Sequence, residues 1–526
     1  MYKKTVRHVL ITAVFLTFFL QLFITVPAYC TEDHDRLQNI LERLVNRKSA
    51  REKEAARLGL VLPSQRNGSR CNVSKTEDCS DTSIKHPQRL IQETEKKNLE
   101  ISENLALSEA VETVEPAEEA ERKPRLMPIP FGFDAWQKER IQSADKGWEY
   151  EFNYTGEYIK VQDNYDGKRK SVYLDNLSLS LNVDFEKAGL ARNGSFFVSL
   201  LGNSGGNITG EHLDNSGIGR IGDLQVLSNI ETNESFRLYE LFFEKPFGKG
   251  RLLVGLRDMN ADFYASEFSS FFTNSSFGIG PDVAQNAPVS IFNVTAPTIR
   301  LSYDLNENLT LQGAIIDGQP GSADDNRNGF GLRISPDEGF FGILEAQYRH
   351  KLFSKDLDGS LKIGTWKHTG KFDDVINTDA SGEAISRDGN WGTYMLIDQK
   401  LWVRKSNPDS HIGGFIQIGG LTPTDRSGIE KYFGGGIVFN APFANRPNDA
   451  FGIAVNQAET NSRVRDFNIA SGNIGLTKER VFEVDYSCQV NDWLSIKPYI
   501  QVIKNVSADP TRDRTQVFGL RFNSTF

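Results

Sequence analysis

TQVFGLRFNSTF, Thr515–Phe526, is the stretch whose reading decides the fold. Phe518, Leu520, Phe522 and Phe526 fall on one side of an extended chain, and Thr515, Gly519, Arg521 and Asn523 on the other, with Val517 the apolar exception. Alternation at period two marks a strand with one apolar and one polar face. A water-soluble sandwich could supply one such strand. Its recurrence from about Phe131 to the end, behind an apolar leader, is the pattern of a closed barrel with lipid outside and water inside.

Working back from the terminus, Leu494, Ile496, Pro498, Ile500 and Val502 oppose Ser495, Lys497, Tyr499 and Gln501, and Phe482, Val484, Tyr486 and Cys488 oppose Glu483, Asp485 and Ser487. Met395, Ile397, Leu401 and Val403 alternate with Tyr394, Asp398, Lys400, Trp402 and Arg404. Leu252, Val254 and Leu256 alternate with Arg251, Leu253, Gly255 and Arg257; Tyr239, Leu241 and Phe243 alternate with Glu240, Phe242 and Glu244. Arg192 to Leu201, Val172 to Phe185 and the aromatic face Trp148, Tyr150, Phe152, Tyr154 and Tyr158 complete the series. The barrel domain is set at 126–526; at roughly 25 residues per strand and connection, residues from about 131 to 526 hold about 16 strands, within the even-numbered range of bacterial barrels. Alternation is weak between Asn203 and Phe236 and between Phe263 and Pro297. The predicted fold is all-β, a transmembrane antiparallel β-barrel with a short helical or disordered N-terminal extension.

Residues 1–28 read as a secretory signal. Lys3, Lys4 and Arg7 precede an apolar run from Val9 to Val26, and Val26, Pro27 and Ala28 precede the cut. A retained anchor is the alternative, since that run approaches the length of a span; Tyr29 immediately before Cys30 disfavours a lipidated cysteine. Residues 29–125 read as a periplasmic extension and acidic linker. Leu37, Ile40, Leu41 and Leu44 share a helical face, and a second helical stretch runs from about Arg89 to Val111. Between Ile91 and Glu121 there are ten Glu and two Lys, a composition typical of a solvated linker. Cys71 and Cys79 are spaced to clip a polar loop, and an oxidising periplasm permits that disulfide.

The 35 Phe and 45 Gly among 526 residues suit a wall of alternating strands and turns, and a mean hydropathy of -0.41 suits one in which only alternate residues meet lipid. The formal charge of -9 and the absence of a basic aromatic motif argue against nucleic-acid binding. Asp324, Asp325, Asn326, Asn328 and Gly329 miss the spacing and terminal Glu of a calcium loop and read as a polar turn; Asp373, Asp374 and Asp379 likewise read as a loop. His212, His350, His368 and His411 are scattered with no nucleophile beside them. No metal, cofactor or catalytic constellation is expected.

Four places carry a family resemblance: Arg237–Glu244 (RLYELFFE) followed by Leu252–Phe263 (LLVGLRDMNADF); Gly392–Gln399 (GTYMLIDQ); Ile496–Gln501 (IKPYIQ) with Pro510 beyond; and the terminal Phe526. In this order, behind the leader, they resemble the carbohydrate-selective, OprB-like porins of bacterial outer membranes. The resemblance implies a 16-stranded barrel, a lumen narrowed by inward loops and charged side chains, and passive uptake of monosaccharides or small oligosaccharides. It implies Glu240, Glu244, Arg257, Asp258, Asn260 and Asp262 near the constriction or its rim, and matches Tyr499 and Gln501 to the late-strand motif. Strand parity adds Arg251, Asp398, Lys400, Arg404, Lys497 and Arg521 to the candidate lumenal pathway. Expected partners are carbohydrate solutes, outer-membrane lipid and the barrel-assembly machinery, with a homo-trimer common among porins. The extension leaves open a structural or secretion-associated barrel that docks a periplasmic partner.

Overall fold

The computed structural model describes residues 133–163, 170–205, 208–209, 221–321, 326, 328–330, 334, 336–351 and 357–526. The leader, the two helical stretches before residue 125 and the Cys71/Cys79 bridge lie outside the described residues. The unit that contains the wall runs Met127–Phe526.

Sixteen strands form the wall: β1 (Trp148–Asp163), β2 (Lys170–Asp184), β3 (Ser195–Gly205), β4 (Ser235–Phe247), β5 (Gly250–Arg257), β6 (Ala296–Asp304), β7 (Leu309–Asp317) and β8 (Phe340–Lys351), then β9 (Asp358–Thr378), β10 (Ala384–Arg404), β11 (Asn407–Gly420), β12 (Ile429–Asn440), β13 (Ala450–Thr460), β14 (Lys478–Asn491), β15 (Leu494–Lys504) and β16 (Arg514–Thr525). Each pairs antiparallel with its sequence neighbours, and β1 pairs with β16, so the sheet closes without an edge. At the seam Glu157 faces Arg521 and Tyr158 faces Leu520. The terminal residue completes it: Phe526 N donates to Phe152 O at 2.8 Å and Phe152 N to Phe526 O at 3.1 Å. Closure satisfies every wall strand through its neighbours, which a bilayer demands because lipid offers the backbone no hydrogen bonds.

The two faces separate by parity. Phe243, Ile315, Ile363 and Leu344 point outward and are more than half exposed, the last at 64 %. Among the described residues no helix is long and apolar enough to cross a membrane; the strands cross it. The short turns at 248–249, 405–406 and 492–493 lie at the end where β1 starts and β16 finishes, and the connections 206–234, 258–295 and 318–339 lie at the other. In bacterial barrels the short turns are periplasmic and the longer loops extracellular.

Four sequence expectations change. A helix, α1 (Phe133–Asp145), precedes β1 where the wall was expected to begin, and its Trp136 ring sits 5.1 Å from that of Tyr150. The third strand starts at Ser195 and continues to Gly205, because Gly194 adopts φ +116 and turns the chain. Asp373 and Asp374 are strand residues: β9 and β10 extend to 21 residues each, and Arg387 on β10 donates to Asp374 Oδ2 (2.6 Å), holding the hairpin together beyond its neighbours. Only Asp379 sits at the turn, where Oδ1 accepts from Ser381 N and Glu383 N. Finally, the two stretches of weak alternation lie largely outside the wall, and their described residues pack inside it. That explains the apolar lumen residue Val517, which joins Ile159, Val161, Val481 and Ile503 of the wall around Ile208, Ile221 and Leu227 of the first inward segment.

Candidate functional site

Two inward segments shape the lumen. The second, residues 258–295 between β5 and β6, includes the one-turn helix α2 (Pro281–Ala284) and three 3-10 turns. It forms only short turns and packs its apolar side chains against the wall, and backbone groups without a ladder of their own must find partners there too. Lumen-facing carboxylates supply them. Glu345 on β8 accepts from Tyr264 N (3.1 Å), and Asp398 on β10 from Ser266 Oγ (2.7 Å) and Phe268 N (3.1 Å). Glu483 on β14 accepts from Thr273 N (2.6 Å) and Asn274 N (3.1 Å), and Asp485 from Thr273 Oγ1 (3.1 Å). Close approach is allowed at Gly413, where a Cβ would lie 2.0 Å from the Phe268 ring.

The first segment, described at 208–209 and 221–234, is held the same way. Glu479 accepts from Leu224 N (2.9 Å) and Gln225 N (3.0 Å), Glu157 from Ser228 Oγ (2.9 Å), and Gln501 Nε2 donates to Leu227 O (2.8 Å). Within it, Glu231 gathers Ile208 N and Thr209 N, both at 2.6 Å. Burial pushes the Glu231 carboxyl up to about 8 and that of Asp223 up to about 6. In the second segment burial pushes Asp282 up to about 7, against which the Tyr264 hydroxyl (3.2 Å) works in the opposite direction. Water cannot solvate these carboxylates, so the neutral form is favoured.

Between the segments and the β4–β6 wall lies a charged cluster. Arg257 donates through Nε and Nη2 to the two oxygens of Asp262 (2.8 and 3.2 Å) and through Nη1 to Glu240 (3.0 Å). Arg300 bonds to the same Asp262 and to Glu244. Asp258 accepts from Tyr239 and from Asn260 N (2.8 Å), and the Arg257 guanidinium lies 4.7 Å over the Phe242 ring. Glu240, Glu244, Arg257, Asp258, Asn260 and Asp262, expected near the constriction or its rim, lie within this one cluster. Arg300 was missed, although Ile299, Leu301 and Tyr303 on the outward face of β6 alternate with it.

The remaining candidates divide. Lys400 lines a cavity of about 1060 Å³ at the short-turn end, with Arg349, Lys351, Asp358 and Glu307. Arg251, at the same end, lies 4.0 Å from Asp304 with both side chains more than a third exposed. Asp398 is buried as an anchor of the second segment. Lys497, Tyr499, Gln501 and Arg521 face inward and are buried beneath the segments. Lys497 pairs with Asp485 (2.9 Å) and bonds to Phe271 O; Tyr499 bonds to Glu157; Arg521 donates to Glu157 (3.0 Å), Ser228 (3.1 Å) and Asn229 (2.8 Å). Arg404 departs from its expected parity. A bulge after Lys400 sets Trp402 opposite Ile412, and a second irregularity sets Arg404 opposite Asn407 at the short turn. One inserted residue shifts every later side chain to the other face. Of the polar turn expected at 324–329, Asp324 and Asp325 lie outside the described residues, while Asn328 O accepts from Leu238 N (2.9 Å).

A closed 16-stranded barrel with an apolar outer face, polar interior and in-folded loops defines an outer-membrane porin. Residues 168–526 match the carbohydrate-selective porin, OprB family, and the chain belongs to that family. It is 23 % identical to Porin B of Pseudomonas aeruginosa over 414 residues, 74 % of this chain and 90 % of that protein. The high-pH structure of Pseudomonas putida OprB shares the fold, with a TM-score of 0.67 at 21 % identity, over 74 % of this chain and 97 % of the other.

Proposed function

We propose that this porin is a passive channel for monosaccharides or small oligosaccharides, whose route passes the Arg257–Asp262–Arg300 cluster and opens into the short-turn vestibule lined by Lys400 and Arg349. The observation that carries this reading is the cluster itself. One carboxylate, Asp262, bridges two guanidinium groups, and Glu240 and Glu244 complete their coordination. Each charge is therefore satisfied before a solute arrives. A sugar hydroxyl that donates to Glu244 or accepts from an arginine exchanges one hydrogen bond for another, with water completing the set. Near-balanced exchange favours passage over retention, which conduction requires. Arg251 and Lys400 would offer similar replaceable contacts nearer the periplasmic mouth.

Residues 1–28 as a cleaved signal and 29–125 as a periplasmic extension complete the reading, since β1 enters the wall from the short-turn end. The test is liposome swelling by the refolded barrel with glucose, larger saccharides and uncharged nonsugars of matched size. Swelling fastest with small sugars is expected. Equal rates for all size-matched solutes would leave a general porin, and no permeation by an intact barrel would end the channel reading.

A further inference from the structure

The outer wall carries three cations where the packing gives no internal reason for them. Arg480 on β14 is directly opposite Lys504 on β15, and Lys504 is directly opposite Arg514 on β16. All three share the outward parity of Phe482, Val502 and Phe518 on the same strands. Arg480 and Lys504 are exposed and Arg514 is half-buried. Adjacent strands lie about 4.8 Å apart, so the three charges span about 10 Å. Like charges directly opposite on neighbouring strands destabilise a sheet.

Their protein partners are neutral. Arg480 bonds to the Gln457 amide oxygen, and the Gln516 amide oxygen, in its favoured orientation, accepts from Arg514 (3.1 and 3.2 Å). Among the residues whose side chains are described, no carboxylate forms an ion pair with any of the three. The neighbouring row toward the loops is built differently. There Glu459 stands between Lys431 and Lys478, opposite both and 3.9 Å from each. The same rim thus neutralises one row of cations internally and leaves the next uncompensated.

The row lies at the end of β14 and β15 away from their short turn at 492–493, which places it at the extracellular edge of the apolar band. Phe482, Val502 and Phe518 lie on the membrane side of it. A ligand matching both features has an anionic head and apolar chains. We propose that Arg480, Lys504 and Arg514 form a binding site for the phosphate-bearing headgroup of an outer-leaflet lipid, whose acyl chains lie along the aromatic and aliphatic face beneath. Bound phosphate relieves the repulsion between the three cations and ties β14, β15 and β16 together beside the seam.

The folded full-length protein in neutral detergent is titrated with diphosphoryl lipid A, with the same lipid stripped of phosphate, and with inorganic phosphate, reading bound lipid by native mass spectrometry and the shift of the thermal midpoint. Lipid A is expected to bind and raise the midpoint while the other two do not. The R480Q/K504Q/R514Q variant is expected to bind about a hundredfold more weakly, and K431Q/K478Q as the wild type does. Should the triple variant not fold, K504Q alone, at the centre of the row, is expected to weaken binding about fivefold. Equal binding by wild type and the folded variants, or equal binding of the phosphate-free lipid, would overturn the proposal. A midpoint shift with inorganic phosphate alone would mean a free-anion site and overturn it as well.

Discussion

Two arcs of the same lumen wall use the same kinds of residue to opposite ends. On the arc from β14 through β16 to β1, Glu157, Glu483, Asp485, Lys497, Gln501 and Arg521 face inward and are buried under the in-folded segments. On the arc from β5 to β10, Arg251, Arg349, Lys351, Asp358 and Lys400 face the same interior, in side-chain pairs that stay more than a quarter exposed. Both arcs alternate polar with apolar, and both carry charge. The difference is in what lies over them. A polar lumen face can pin a loop or line a water path, and it pins a loop wherever backbone donors of that loop come within reach. The inward segments cover the β14–β1 arc, and the second also docks on Glu345 and Asp398 of the other arc, whose short-turn end, around Arg349 and Lys400, stays exposed.

The sharpest way to break that contrast is at the seam. Glu157 is fully buried and accepts from Arg521, Tyr499 and Ser228 together. Glu157→Ala leaves the Arg521 guanidinium buried beside Asn229 without its counter-charge, and removing one partner of a buried pair costs about 3–5 kcal/mol. Denaturant unfolding of the refolded barrel should register that loss, together with faster proteolysis within 221–234. A loss below about 1 kcal/mol, the range of exposed pairs, would mean that the sealed arc is held by something other than this ion pair.

A second contrast comes from pH and acts on the segments, not the wall. Asp223, Glu231 and Asp282 are carboxyls whose docked values are raised by burial to about 6, 8 and 7. Because the released segments would titrate at ordinary carboxylate values, near 4, docking is strongest below that range. It weakens as pH rises toward the docked values, and the loss is complete above them. Amide protection factors, corrected for intrinsic exchange, should therefore fall in 221–234 and 280–286 between about pH 5 and pH 9 while those of the wall strands hold. Asp282→Asn should flatten the change in 280–286 alone. Protection that is independent of pH in both segments would show that these carboxyls do not govern docking.

The wall was legible in the sequence because lipid outside and polar groups inside impose period two on every strand, as at Thr515–Phe526 and at Leu494–Val502. Register held wherever strands were regular and failed beside bulges that no residue pattern announces, at Arg404 and at Tyr239, which turns inward to Asp258. The cluster around Arg257 was legible because Glu240, Glu244, Arg257 and Asp262 sit on one hairpin and the loop leaving it. The division into sealed and open arcs was not. Gln501 and Arg521 read as pore-lining by parity, but their burial depends on Ser228, Leu227 and Asn274, which come from segments hundreds of residues away in sequence and without periodicity of their own. Weak alternation was itself the available signal: a stretch of barrel sequence that stops alternating has left the wall, and in a channel of this width the free space is inside.

The open arc should show the smallest stability effect and the clearest electrical one. Arg251 and Arg349 flank Asp304 at 4.0 and 3.9 Å, and all three side chains are at least a third exposed. Exposed pairs contribute about 0–1 kcal/mol, so Asp304→Asn should leave denaturant unfolding within that range, a fraction of the Glu157→Ala loss. It should instead leave two cations at the periplasmic mouth without their shared counter-charge and shift ion selectivity toward anions, read as a reversal potential in planar bilayers under a salt gradient. The shift should shrink as ionic strength rises and the Debye length falls to about 3 Å at 1 M. Unchanged selectivity with unchanged stability would place the conducting path away from this arc, and a large loss of stability would mean that the open side is scaffold too.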